Sequence, residues 1–257
     1  MHRSTASRAL NPATRHLVAS EVALRVEAVA RGLNYRRDDM AASLRTGRSA
    51  TIGFVAPGLD DPAFAAVLAG LDAEIAGAGY ALIVAAGRNG ALARAVVDGL
   101  IALRVEALIL AGARRLDPSV DLCLAAGMPV ILVGQCEAEA RVPSVAPDDR
   151  RGMRLALAHL VLLGHRRIGH VAGPQAVSTG ALRRAGFEEA ALLSGLSAQD
   201  APVVEATAFT REAGAAAAGD LIDRHPGLTA IAAASDLLAL GAYEALAARG
   251  LRCPGDV

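Results

Sequence analysis

The chain has 257 residues, is 53% hydrophobic with no Trp, and balances 26 basic against 26 acidic residues. That length holds one or two α/β domains plus a small appendage, and the core must be built from Ala, Val, Leu and Ile. Apolar runs such as 107–111 and 129–133 are strand-sized and too short to cross a bilayer, the N-terminus lacks a signal-peptide core, and the three scattered cysteines (Cys123, Cys136, Cys253) fit reduced cytosolic thiols.

The zero net charge is unevenly spread. Residues 1–48 hold nine Arg against four acids, a balance of +5, which leaves −5 for the remainder. A small basic head on a mildly acidic body points to a polyanionic partner for the head. The head opens with S-T-A-S-R-A-L-N at 4–11, a short helix in which Ser4, Ser7 and Arg8 (i, i+3, i+4) share one face. A second helix over about 20–31 carries Val22, Val26 and Val29, a stripe expected to pack on the first helix, with Leu33 and Tyr35 extending the small core.

The body alternates between two periods. Apolar runs at 52–56, 80–85, 107–111 and 129–133 are separated by helical patterns: Phe64, Leu68, Leu71 and Ile75; Leu92, Val96, Leu100 and Leu103; and a helix around 120–126. The pattern resumes with a helix at 150–163, a strand at 168–172 and a helix at 182–193. A weak strand follows at 203–206, a helix at 212–223, a strand at 230–234 and a helix at 237–248. Continuous apolar strands between amphipathic helices indicate parallel sheets covered on both faces. The break at R-V-P-S-V-A-P (141–147) separates two doubly wound lobes, and ligands of such sheets bind outside the carboxyl ends of the strands, here in the cleft between the lobes.

Six collinear segments resemble the LacI/GalR family of bacterial transcription regulators. They are S-T-A-S-R-A-L-N, A-A-S-L-R-T-G-R-S-A-T-I-G-F-V-A-P, D-D-P-A-F, A-H-L-V-L-L-G-H-R-R-I-G-H-V-A-G-P, R-R-A-G-F and S-D-L-L-A-L-G-A. The resemblance covers essentially the whole chain and implies an α/β fold: two doubly wound parallel-sheet lobes of the periplasmic-binding-protein type, preceded by a partial helix-turn-helix and a hinge helix. The implied domains are a DNA-binding head and hinge at 1–48, an N-terminal lobe at 51–146 and an incomplete C-terminal lobe at 147–257. The family's pattern also implies truncation at both ends, because residue 1 falls where the second helix of the helix-turn-helix begins. The implied function is a sequence-specific repressor whose operator affinity follows a small effector, a sugar or sugar derivative. The alternative is a ligand-binding sensor of the same fold without DNA binding.

Residue by residue, the resemblance places Arg3, Ser4, Thr5, Ser7 and Arg8 at the major groove, where Arg can bond guanine bidentately. It places Leu44 as a minor-groove wedge flanked by Arg45, on a hinge helix at 39–46 too short to hold helix alone. Ala19, Val22 and Ala23 depart from the family's hydroxyl and Arg residues, which removes one helix cap. For the effector it implies Asp60, Asp61 and Phe64 from the first lobe and Asp149, Arg183, Phe209 and Asp236 from the second. Carboxylates, an Arg and an aromatic face suit a polyhydroxylated ligand. Plainer roles stay open: Asp236 as a helix cap, Arg183 as a surface cation, Phe64 as core.

An enzyme lacks support, for there is no G-x-G-x-x-G after a strand, no P-loop and no G-x-S-x-G. His159, His165 and His170 cluster in sequence, but no carboxylate or Cys stands at ligand spacing, so neither metal nor cofactor is expected. The expected partners are operator DNA, the effector and a second copy in a homodimer, with no membrane and a cytoplasmic, nucleoid-associated location.

Overall fold

The computed structural model describes residues 2–11, 14–35, 49–58, 62–87 and 94–257. Leu44, Arg45 and the expected hinge helix, and Asp60 and Asp61, lie outside the described residues. The chain divides into two compact units, Met1–Ser49 and Ala50–Val257.

In the first unit, α1 (Arg3–Ala9) is capped by its own neighbour: the His2 ring nitrogen accepts from the Ser4 amide. A 3-10 turn at Arg15–Leu17 leads to α2 (Ser20–Gly32), whose N-cap position, Ala19, offers no side-chain acceptor. Ala9, Ala23 and Val26 form the centre, with Ala6, Leu10, Val18 and Val22 packed around it. Arg15 donates to Glu27 at 2.7 Å and ties the turn to α2. Two expectations need correction. Val29 is 57% exposed, and Leu33 and Tyr35 are also exposed, so they do not extend this core. With seven residues, α1 spans about two turns and covers only the first half of α2.

In the second unit, the first lobe runs β1 (Thr51–Ala56), α3 (Pro62–Gly77), β2 (Ala81–Ala86), α4 (Arg94–Ala102), β3 (Ala107–Ala111), α5 (Pro118–Ala125), β4 (Val130–Val133) and β5 (Ser144–Val145). Among the described residues these strands form a sheet of order β2-β1-β3-β4-β5 with parallel pairings throughout. The second lobe runs α6 (Asp149–Leu162), β6 (Ile168–Ala172), α7 (Ser178–Leu193), β7 (Val203–Glu205), α8 (Arg211–Arg224), β8 (Ala230–Ala233) and α9 (Asp236–Ala247). Its sheet has the order β7-β6-β8, also parallel.

The two lobes open on the same sequence idea. Ile52-Gly53-Phe54-Val55-Ala56 forms β1, and Ile168-Gly169-His170-Val171-Ala172 forms β6. Both are central strands, which explains their apolar continuity. The glycine of each meets a leucine of a covering helix or neighbouring strand. A Cβ on Gly53 would lie 2.6 Å from Leu108, and one on Gly169 would lie 2.6 Å from Leu221. Phe54 and His170 occupy equivalent positions and both are fully buried.

Two elements differ from the periodicity. The crossover contains β5, two residues long and too short to show a period. Helix α7 begins at Ser178, one turn before the 182 start that its apolar pattern indicates.

Candidate functional site

The carboxyl ends of β6, β7 and β8 bring together residues from four separate segments. Arg183, in the second turn of α7, donates through Nε to Asp149 Oδ1 at 2.8 Å and through Nη1 to the Ala234 carbonyl just after β8. The Asp149 side chain is 2% exposed and that of Arg183 is 27% exposed. Asp149 Oδ2 is buried and has no hydrogen-bond partner among the described residues. A carboxylate that far from water needs a cation or hydrogen-bond donors beside it. The pair therefore fixes Arg183 in one place and leaves part of its guanidinium turned to solvent. The plainer reading of Arg183 as a free surface cation is corrected by this geometry.

Phe209 lies across the start of the β6–α7 turn. A Cβ on Gly173 would sit 2.2 Å from its Cζ, so only glycine admits the ring there. Nearby, Gln175 donates its side-chain N–H to the Gly173 carbonyl at 2.7 Å and its amide N–H to Glu205 at 3.1 Å. Asp236 is exposed in the first turn of α9, but the cap is Ser235, whose hydroxyl accepts from the Leu238 amide at 3.4 Å. Phe64 is half-buried against Phe54, Ile75 and Ile109, within the first lobe's core. Sequence reasoning missed Gln175 and Glu205, which stand in turns with no periodicity to mark them.

The three histidines do not converge. His165 pairs with the Thr229 hydroxyl at 2.9 Å. His170 Nδ1 bonds the Ala232 carbonyl at 2.8 Å, its ring stacks on Phe187 at 4.6 Å, and burial pushes the imidazole down to about 4. Among the described residues no three His, Cys, Asp or Glu side chains group as metal ligands do. In the first unit Arg3, Ser4, Ser7 and Arg8 are exposed and Thr5 is half-buried.

A family model described as periplasmic binding proteins and the sugar-binding domain of the LacI family matches residues 49–257. The chain belongs to the LacI family. This LacI-family chain is 32% identical over 268 residues to the HTH-type transcriptional regulator CelR of Thermobifida fusca, a match covering 99% of the chain and 76% of CelR. To the HTH-type transcriptional repressor CytR of Escherichia coli K12 it is 28% identical, across 99% of the chain and 74% of CytR. Among solved structures it is similar to a CelR–cellobiose complex, with TM-score 0.72 and 29% identity over 100% of the chain and 77% of that one. It is also similar to a lac repressor dimer bound to operator and the anti-inducer ONPF, with TM-score 0.83 and 26% identity over 98% of the chain and 76% of that one. The regulatory character of the family agrees with the reading of the head and the two lobes. Among the described residues no helix is long and apolar enough to cross a membrane.

Proposed function

We infer that this chain is a DNA-binding transcriptional repressor whose operator affinity is set by a small effector, a sugar or sugar derivative, bound between its two lobes. The observation that carries the effector site is the Arg183–Asp149 pair at the carboxyl ends of the second lobe's strands. A guanidinium fixed by a buried carboxylate is suited to orient hydroxyl groups, and the Phe209 ring against the Gly173 turn offers an aromatic face of the kind a sugar stacks on. Cellobiose in the CelR complex and ONPF in the lac repressor complex are the corresponding ligands of two relatives. Arg183, Phe209 and Asp236 contact the effector in this reading, with Asp149 beneath Arg183. Asp60 and Asp61 contact the effector in the same reading, and Phe64 is assigned to the core. Neither lobe has a role in turnover.

For DNA, Arg3, Ser4, Thr5, Ser7 and Arg8 enter the major groove, and Leu44 with Arg45 enters the minor groove of a palindromic site bound by a homodimer. The exposed polar face of α1 supports the first part. The domain division follows as head and hinge at 1–48 and lobes at 51–146 and 147–257. Effector binding shifts operator affinity by a coupling free energy of about 1–3 kcal/mol.

The test is fluorescence anisotropy with a selected palindrome and with random DNA across salt concentrations, paired with calorimetry against a panel of sugars. A specific, salt-dependent preference that one sugar weakens supports the reading. Sugar binding with no DNA preference favours the ligand-only sensor, and product formation from the sugar overturns the regulator reading.

A further inference from the structure

We propose that Gln135 is a positioning residue that latches the first lobe to the helix bearing Arg183. Helix α7 lacks a cap of its own. Its N-cap position is Val177, which offers no acceptor to the first turn. Uncapped helix starts leave amide donors without partners. Here the acceptor comes from the opposite lobe. Gln135 Oε1, in the segment after β4, accepts from the Ser178 hydroxyl at 2.9 Å and from the Thr179 amide at 3.1 Å.

The same few residues are cross-linked twice more. The Cys136 amide donates to Ser178 Oγ at 2.7 Å, and the Thr179 hydroxyl donates to the Gly134 carbonyl at 3.0 Å. A further bond runs from the Arg115 amide to the Ala176 carbonyl at 2.9 Å. Ser178 and Thr179 are buried, so the bonds they make replace water that could not otherwise be recovered. Gly180 presses on the preceding turn: a Cβ there would lie 2.1 Å from the Pro174 carbonyl oxygen. The first turn of α7 thus has no room to shift on its own. It moves with segment 134–136 or parts from it.

Thr179 and Arg183 stand at i and i+4, on one face of α7. A change in the lobe-to-lobe angle that breaks the Gln135 bonds therefore acts on the helix turn next to Arg183. That functional consequence rests on the effector reading of Arg183, whereas the latch itself does not.

The test compares the intact chain with Gln135→Met, which keeps the side-chain length and removes the acceptor, and with Gln135→Glu, which restores an acceptor suited to a helix N-terminus. Hydrogen exchange of amides 179–182 is expected to be about five- to tenfold faster in the Met variant. It should return towards the parent rate in the Glu variant and stay unchanged in α8 and α9. A fluorophore pair introduced through non-natural amino acids at the exposed Leu124 and Leu192 reads the lobe separation. Its distance distribution is expected to broaden in Gln135→Met alone. Equal exchange in all three proteins, an increase spread over the whole second lobe, or unchanged distances would overturn the latch. Neither readout needs an effector, so a failed sugar titration of the parent protein would sink the effector reading and leave the latch result standing.

Discussion

The lobes start on nearly the same strand, I-G-F-V-A in β1 and I-G-H-V-A in β6, and treat polar groups in opposite ways. In the first lobe the equivalent position is Phe54, and the buried carboxylates are fully served. Asp117 caps α5 and also accepts from the Arg114 amide at 2.9 Å, while Glu137, held below the usual carboxylate range by its hydrogen bond from Arg141, sits beneath that guanidinium. In the second lobe His170 and Asp149 each keep one buried polar atom without a partner among the described residues, and α7 borrows its cap. A core that carries unsatisfied polar atoms gives up stability. Among the described residues the first lobe's buried carboxylates serve its own structure, whereas the second lobe keeps two buried polar atoms without a partner.

The largest effect should come from making the first strand resemble the second. Phe54→His removes a buried ring from its packing and leaves ring nitrogens to be satisfied, an expected loss of about 3–4 kcal/mol in denaturant unfolding. A loss below 1 kcal/mol would mean that the two positions are not physically equivalent.

The reverse exchange tests acid sensitivity. His170 is neutral in the folded protein because burial holds its imidazole near 4, against 6.5 when unfolded. Between those values the unfolded chain binds more protons, so stability is full above about 6.5 and falls as pH drops towards 4, by about 3 kcal/mol in all. His170→Phe should flatten this part of the pH–stability curve, measured by unfolding at a series of pH values.

Next comes Arg183→Met, which leaves Asp149 as a buried charge without its cation. A loss of about 2 kcal/mol is expected, below the range for fully buried pairs because Arg183 is partly exposed. The double variant with Asp149→Asn should recover part of it, while sugar binding stays lost in both. The smallest effect is Asp117→Ala in the first lobe, about 1–2 kcal/mol for the α5 cap together with the acceptor of the Arg114 amide, with sugar binding unchanged.

Much of the fold was legible. The runs at 107–111 and 168–172 coincide with β3 and β6, because a strand buried on both faces has nothing but apolar residues to show. The resemblance also named Arg183 and Asp149, which stand 34 residues apart and pair in the structure. The first turn of α7 was not legible: helix starts are read from local capping residues, and this one is supplied by Gln135, 43 residues upstream of Ser178. The outer half of α2 misled for a related reason. Val29 keeps the helical spacing of a core stripe, yet α1 is too short to cover it.

The sequence by itself determined the alternation of strands and helices and the family, since these follow from periodicity and motifs carried along the chain. Only the tertiary structure decided that Asp149 lies beneath Arg183, that Ser235 rather than Asp236 caps α9, and that the first lobe caps a helix of the second. Those outcomes depend on which buried donor meets which acceptor across the fold, and hydrogen-bond geometry of that kind leaves no periodic trace in the chain.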